Sequence, residues 1–489
     1  MSLMPSIHYL AILPVAILLG TSVLLLVLTA LVRGGLATKV STSISVLAGV
    51  ASLVISFVQW SYVAGHGATT TIDHAVALDG FSVVATGTLA VALIMASLVA
   101  HDWLARGSVV GTQFHVLALA ASAGALVMVQ ANDLIVVFLG LEILSIGLYV
   151  LAALDRHRSA SSEAALKYFL LGGFASAIFI YGAALTYGAT GTTNISAISY
   201  FLAGNVLLHP GLLFAGGALL LVGFAFKVAA VPFHLWSPDV YEGAPTPVTG
   251  FMASIVKIGA FAALVRVIVS GLGTQMDTWR PILWVLVALT TLLGASMALI
   301  QRNVKRMLAY SSINHAGFIL LGVWAATTRG NAATLFYLMT YAPIVVATFA
   351  VVTLVGAPHD EAHSIDRYRG LARRQPLLGG ALAVLLLSQL GVPLTTGFYA
   401  KFAVLAAAVD AGGGALAVIS LIAAAIAAFF YLRWVLALYA DEPVELDRVA
   451  VPRASALVIA LGVAITLVFG VWPGPLAALA SHATLLFTP

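Results

Sequence analysis

The sequence predicts an all-α polytopic membrane protein with about fourteen transmembrane helices, and three observations predict it. First, 62% of its 489 residues are apolar and 8% charged, with a mean hydropathy of +1.08, whereas a soluble domain carries roughly 25% charged residues. Second, the apolar runs continue for about 20 residues, enough for a helix to cross a ~30 Å hydrocarbon core and far more than the ~10 alternating residues of a barrel strand. Third, Lys and Arg gather in alternate connections, the asymmetry of a chain threaded through a bilayer. The same figures exclude soluble, disordered and fibrous classes.

The runs follow in order. The first, 9–32, has no Lys or Arg before it and reads as a retained span, since a cleaved signal needs a basic leader and a short apolar stretch. Runs at 40–62 and 80–100 complete an N-terminal three-helix segment within 1–110. Those at 112–131, 133–153, 162–187, 209–233 and 246–270 form a first five-helix unit within 111–270. Those at 281–300, 307–328, 331–356, 377–409 and 415–440 form a second within 280–440. A last run, 452–472, and its tail make up 450–489. Fourteen basic residues fall on one set of connections: Arg33, Lys39, Arg106, Arg156, Arg158, Arg302, Lys305, Arg306, Arg367, Arg369, Arg373, Arg374, Arg448 and Arg453. The opposite set has Arg266, Arg280 and Arg329. The first set is therefore expected in the cytoplasm and both termini on the outer face, which requires an even number of crossings.

Two spans look broken. Lys227-Val-Ala-Ala-Val-Pro232 puts a proline, with no N–H to donate, inside the seventh; Gly391-Val-Pro393, followed by Thr395, Thr396 and Gly397, interrupts the twelfth. Each break is in the fourth run of its unit, and each lies near a lysine, Lys227 or Lys401. Because five is odd, the second unit would run inverted through the membrane, an arrangement transporters use around a midplane site. The second helices of the two units offer Glu142 and His315. The fifth helices match poorly, because Arg433 sits nearer the cytoplasmic end than Lys257 does. The Pro-rich segment 232–247, with Asp239 and Glu242, reads as a rigid cytoplasmic turn whose carboxylates can gather protons.

The ionisable residues at membrane depth are few. Glu142 lies about 13 Å along its helix from Asp133, near the midplane, and Lys257 is equally central between Thr246 and Ser270. Together with Lys227 and Lys401 these would cost ~10 kcal/mol if unpaired, so they must face one another or water. Lys167 and Arg433, nearer helix ends, have stems long enough to reach headgroups and otherwise support a relay. Burial disfavours a charged ammonium and a close carboxylate restores it, so a Glu142–Lys227 pair that opens and closes can release and take up a proton. A row of lysines with a glutamate at one end is then a lateral charged axis. His234 and His315 are candidate supports, with Ser237, Thr246, Thr249, Ser311, Ser312 and Asn314 close by in sequence. The plainer readings are proline kinks without function and a static ion pair joining two helices.

Cysteine is absent, which excludes disulfides, thiolate-held Fe–S clusters and Cys-containing zinc sites. There is no G-x-G-x-x-G, G-x-x-x-x-G-K-[ST] or H-E-x-x-H motif to anchor nucleotide binding or zinc hydrolysis. A net charge of +4, scattered through loops, gives no footprint for nucleic acid.

Four stretches carry a family resemblance: Asn132-Asp-Leu-Ile-Val-Val-Phe-Leu-Gly-Leu-Glu142, Glu163-Ala-Ala-Leu-Lys-Tyr-Phe-Leu-Leu-Gly172, Phe226-Lys-Val-Ala-Ala-Val-Pro-Phe-His-Leu-Trp-Ser-Pro-Asp-Val-Tyr-Glu-Gly-Ala-Pro-Thr-Pro247 and Arg306-Met-Leu-Ala-Tyr-Ser-Ser-Ile-Asn-His315. Across nearly its whole length the chain resembles the subunit N family, the antiporter-like membrane subunits of proton-translocating NADH–quinone oxidoreductase, respiratory complex I. The resemblance implies fourteen spans, two inverted five-helix repeats, broken helices 7 and 12, and a proton relay through Glu142, Lys227, Lys257 and Lys401. Lys401, where related subunits carry Lys or Glu, agrees with subunit N and not with the M-type. The tail after Trp472 is too short for the long lateral helix of one larger relative. The resemblance further implies an H+-translocating enzyme subunit with no cofactor of its own; NADH, FMN, Fe–S clusters and quinone would be handled by other subunits. Its partners would be an M-type subunit, small K-, J- and A-type subunits and the lipid of a bacterial inner membrane. The alternative is a subunit of a related cation/proton antiporter or membrane-bound hydrogenase complex. Rivals from other classes are a stand-alone solute transporter and a purely structural membrane-arm spacer.

Overall fold

A computed structural model describes residues 7–32, 36–106, 111–356, 360, 363–440 and 448–486. Arg33, counted above among the cytoplasmic basic residues, and positions 487–489 of the tail lie outside them.

The chain runs through α1 (Tyr9–Leu31), α2 (Thr38–His66), a hairpin of β1 (Thr69–Thr71) and β2 (Val76–Leu78), α3 (Gly80–Leu104), α4 (Gly111–Gln130), α5 (Leu134–Ala152) and α6 (Ser159–Thr190). It continues with α7 (Ile195–Gly204), α8 (Pro210–Val228), α9 (Trp236–Gly243), α10 (Thr246–Leu264, extended as a π-helix over Val265–Gly271), α11 (Met276–Leu299), α12 (Val304–Ala325) and α13 (Thr328–Val355). After α14 (Leu371–Arg374) come α15 (Pro376–Leu390), α16 (Thr396–Asp410), α17 (Gly414–Leu438), α18 (Arg453–Val471) and α19 (Gly474–His482). Among the described residues thirteen helices are long and apolar enough to cross a membrane. The twelfth predicted run crosses as two halves, α15 and α16, so all fourteen runs are found. The hairpin departs from the strand-free expectation; its three-residue strands seat against the start of α5, where Asn132 N–H donates to Ala75 O at 2.8 Å.

Side-chain caps start the helices where the sequence places Asp, Asn and Thr. Asp79 and Ser82 form a capping box on α3, Asp133 accepts from Ile135 N–H on α5, and Asn303 and Thr327 cap α12 and α13. The centre of the bundle is α10, buried at every position, with α12, buried everywhere but Arg306, and α13. Helices α1, α2, α6, α17 and α18 turn exposed apolar residues outward, among them Leu24, Phe57, Phe169, Phe429 and Val471, as a lipid-facing shell must. Close packing reaches backbone contact between α4 and α5: a Cβ on Gly124 would lie 2.4 Å from Leu144 N, so only glycine admits the crossing that carries Glu142 inward.

Both predicted breaks are present. Helix α8 stops at Val228, Ala229 takes a left-handed conformation (φ 60°), and the chain resumes as α9. The expectation that 232–247 is a cytoplasmic turn is corrected here. Trp236, Ser237, Pro238, Val240 and Tyr241 are buried in α9, the second half of the broken seventh span. Pro238 sits in the first turn of α9 and Pro247 in that of α10, where a missing N–H costs nothing, so these prolines bracket helices and do not break them.

Two basic residues counted above with the connections are also inside the bundle. Arg266, 2% exposed, forms a bidentate pair with Asp79 at 2.8 and 3.1 Å. Lys305, fully buried, shares Asp360 with Arg158 and His363. Burial alone would raise the Asp360 carboxyl, but Lys305, His363 and Thr246 outweigh it and hold it well below the usual carboxylate range.

Candidate functional site

Lys227 occupies the last turn of α8 and is 3% exposed. Its Nζ donates to Ser145 Oγ at 2.7 Å and lies 3.4 Å from Tyr168 OH. Glu142, the expected partner, is one turn before Ser145 on α5; it forms no ion pair among the described residues, and its Oε1 is buried without a hydrogen-bond partner. The carboxylate and the ammonium are thus held on neighbouring helices with Ser145 making the contact.

The two breaks free backbone carbonyls, and lysines take them. Helix α8 ends with Ala229 and Ala230 N–H groups folded back on Phe226 O and Ala225 O, while Trp236 Nε1 also donates to Phe226 O at 2.9 Å. Lys257, 3% exposed at the middle of α10, puts its Nζ 3.5 Å from Val228 O, the last residue of α8. At the other break Gly391 is left-handed (φ 93°), and Lys401 on α16 donates to Leu390 O, the last residue of α15, at 2.7 Å. The carbonyl end of a helix carries partial negative charge, so each broken span offers an ammonium a polar but uncharged seat. Neither lysine forms an ion pair with a carboxylate among the described residues.

Hydroxyl groups fill the space between these lysines. Tyr168 stacks on Trp236 at 4.5 Å, and Trp236 lies 6.5 Å from Tyr241. Tyr241 OH is 3.4 Å from Ser312 Oγ, to which Tyr341 OH also donates at 3.0 Å. Lys257 Nζ sits 6.0 Å from the Tyr341 ring. His315 is 4.9 Å from that ring and bridges Tyr337 OH (2.6 Å) and Tyr431 OH (3.1 Å); Tyr431 in turn pairs with Ser311. Lys401 Nζ lies 5.0 Å from the Phe318 ring, one turn beyond His315 on α12. Every group in this chain is buried.

The other candidates sit apart. His234, in the unwound stretch before α9, is buried with Nδ1 unpartnered. Lys167 pairs with Glu163 (2.7 Å) and Asp239 (2.9 Å), and Arg306 pairs with Asp239 and Glu242 (2.9 Å each). These acids are therefore engaged in ion pairs and are not open proton collectors. Arg433 is exposed and donates to Leu299 O (2.8 Å) and Gln301 O (2.6 Å) at the end of α11.

Sequence reasoning thus found the lysines, Glu142, His315 and the Ser311–Asn314 stretch, and missed Ser145, Tyr168, Tyr241, Tyr337, Tyr341 and Tyr431. The available signal was five tyrosines inside or beside apolar runs, each carrying a polar tip that needs a partner when buried.

The chain is similar to known proteins over most of its length. A family model described as "NADH:quinone oxidoreductase/Mrp antiporter, TM" matches residues 131–427. NADH-quinone oxidoreductase subunit N 3 of Streptomyces griseus is 46% identical over 391 residues, covering 77% of this chain and 71% of that protein. Subunit N of Salinispora arenicola is 40% identical across 98% of both chains. A chain of Thermus thermophilus respiratory complex I superposes with a TM-score of 0.81 at 36% identity, covering 96% of this chain and 99% of that one. A chain of the Mrp complex from Dietzia shares the fold at a TM-score of 0.84 and 22% identity, covering 96% and 97%.

Proposed function

Because this chain belongs to the subunit N family of NADH-quinone oxidoreductase, integral membrane subunits with an antiporter-like domain, we propose that it moves protons along its buried axis in response to quinone reduction elsewhere in the complex. Glu142 and Lys227 act as the switchable pair, Lys257 as the lateral relay and Lys401 as the outlet or link to a neighbouring subunit. When Lys227 turns from Ser145 to Glu142 it holds its proton. When it swings back, the proton can pass through Tyr168, Tyr241, Ser312 and Tyr341 towards Lys257, and through His315 towards Lys401. The five-helix units 111–270 and 280–440, as inverted repeats, frame this path.

One observation carries the reading: three lysines, 3–6% exposed, lie among buried hydroxyl, imidazole and aromatic groups with no carboxylate paired to any of them among the described residues. An unpaired charge at such depth costs several kcal/mol, so a bundle built only for stability would replace it. The chain itself has no cysteine for an Fe–S cluster, and NADH, FMN, Fe–S centres and quinone are assigned to other subunits. The partners are the M-type and small K-, J- and A-type membrane subunits. The setting is a bacterial inner membrane with both termini outside, a reading that the even number of crossings and the one-sided basic connections support.

The test is NADH-driven proton uptake by inside-out vesicles containing the assembled complex. Lys227→Ala and Lys257→Ala are expected to lower the protons moved per NADH oxidised; normal stoichiometry at normal electron flux in both variants would sink the assignment.

A further inference from the structure

The first turns of α11 take no part in the buried axis, and they form a second site at the end of the bundle opposite the basic connections. A cleft of about 520 Å³ opens there between the start of α11, the end of α12 and the connection from α16 to α17. Its charged members are Asp277 and Arg280, with Trp284, Trp324 and Ala411 among its walls. Neither Asp277 nor Arg280 forms an ion pair among the described residues. Arg329 and Asp410, which follow Trp324 and precede Ala411 in the chain, neutralise each other in an exposed pair. One carboxylate and one guanidinium therefore belong to the cleft itself.

The guanidinium is held in place and left partly unsatisfied. Arg280 Nε donates to Trp324 O at 3.2 Å and Nη2 to Ala411 O at 2.6 Å, while Trp324 Nε1 donates to Arg280 O at 3.1 Å. Arg280 Cζ lies 4.1 Å from the centre of the Trp324 ring. These contacts orient the group but supply no countercharge, and Nη1 has no hydrogen-bond partner among the described residues. Asp277, one turn earlier, is exposed. Asp277, Pro281, Val285 and Leu289 follow at four-residue intervals on one face of α11, and Val285 and Leu289 are 49% and 44% exposed. From Asp277 to Leu289 is about 18 Å along the helix axis, slightly more than the ~15 Å of hydrocarbon in one leaflet. Trp284 and Trp324 lie at the level where indoles mark the boundary between headgroups and acyl chains.

We propose that this cleft binds a zwitterionic phospholipid with a primary ammonium headgroup, its phosphate on Arg280, its ammonium on Asp277 and an acyl chain laid along Val285 and Leu289. Residues three apart on a helix face are about 5–6 Å from each other at Cβ, and two carbons separate the ammonium from the phosphate ester, so both contacts form at once. A guanidinium edge matches phosphate oxygens, and a primary ammonium donates hydrogen bonds to a carboxylate where a trimethylated one cannot. An anionic headgroup would meet Asp277 with no positive charge to offer it. The apolar stripe continuing from the cleft distinguishes a lipid from a free phosphate ester. This site is independent of proton movement along the axis.

The experiment reconstitutes the intact complex in phosphatidylcholine vesicles doped with phosphatidylethanolamine that carries a photo-crosslinking acyl chain, and maps adducts by mass spectrometry. Adducts are expected on 281–293, and phosphatidylcholine and phosphatidylglycerol probes with the same acyl chain should label that segment about fivefold less. Asp277→Asn breaks no hydrogen bond or ion pair among the described residues, and in that variant the ethanolamine and choline probes should label equally. Arg280→Gln should lower labelling by the ethanolamine probe about fivefold. A preference for ethanolamine that survives Asp277→Asn, or labelling unchanged in Arg280→Gln, overturns the proposal. Equal labelling by the three lipids in the wild type, or a preference for phosphatidylglycerol, overturns it too. So do adducts on a neighbouring subunit in place of α11, which would make the cleft a subunit interface.

Discussion

Ser145, and not Glu142, is what the Lys227 ammonium touches, and this changes how the pair can work. Ser145 Oγ donates to Leu141 O in its own helix and turns its free lone pair to Lys227 at 2.7 Å. A hydrogen bond to a charged group is worth about 1.5–3 kcal/mol, so removing this acceptor takes from the ammonium its shortest polar contact. Ser145→Ala is therefore expected to lower the protons moved per NADH in inside-out vesicles, read by quenching of a pH-sensitive dye, while Ser145→Thr, which keeps the oxygen, retains them. Equal behaviour of the Ala and Thr variants would remove Ser145 from the path. Nothing in the sequence marks this serine, because a hydroxyl in an apolar helix is ordinarily satisfied by the carbonyl one turn back. Only the approach of α8 shows which serine has a second task.

At the level of elements, the two breaks were legible and the way they are sealed was not. Pro232 and Gly391-Val-Pro393 announce interruptions by removing donors and permitting unusual backbone. That Lys257 and Lys401 reach the freed ends at Val228 and Leu390 depends on neighbouring helices that no local pattern reports. The same gap explains why 232–247 reads as a surface turn: its prolines signal loop, but burial against α6 and α12 makes half of it helix. The left-handed residues at the breaks carry opposite predictions. Gly391→Ala should cost about 1–2 kcal/mol for the backbone alone, and its Cβ would meet Lys401 Cδ at 3.0 Å, displacing the ammonium from Leu390 O. Ala229→Gly relieves the same strain at φ 60° and should be neutral or stabilising by up to about 1 kcal/mol. Thermal unfolding of the purified complex, alongside proton pumping, separates them: Gly391→Ala loses both, Ala229→Gly keeps both.

For the whole molecule, composition and hydropathy disclosed the class and the number of crossings, but not the pins that join distant parts. Arg266 reads from the sequence as an outer connection residue, yet it closes a buried pair with Asp79, 187 residues earlier. Asp79 also caps α3 and accepts Leu486 N–H at 2.8 Å, so one carboxylate joins the N-terminal segment, the π-helical end of α10 and the tail. Burial alone would raise the Asp79 carboxyl; Arg266 and the backbone amides of Ser82 and Leu486 overcome it and hold it below the ordinary value. A depressed folded value means that the stabilisation is full above the unfolded value of about 3.9 and is lost as pH falls through the lower folded one. Removing Arg266 leaves a buried, unpaired carboxylate and should cost about 3–5 kcal/mol at neutral pH. In Arg266→Met, burial is no longer opposed by the guanidinium, so the folded carboxyl binds its proton more readily than the unfolded one and the variant gains stability on acidification. The gap in melting temperature between wild-type and Arg266→Met complexes should therefore be widest near pH 7 and narrow steadily towards pH 4. Adding Asp79→Asn to Arg266→Met should recover part of the loss at pH 7, because the amide keeps an oxygen for the α3 cap and Leu486 without a charge to bury. A gap that stays constant with pH, or a double variant no more stable than Arg266→Met alone, would show that the pair does not join these three segments through its charge.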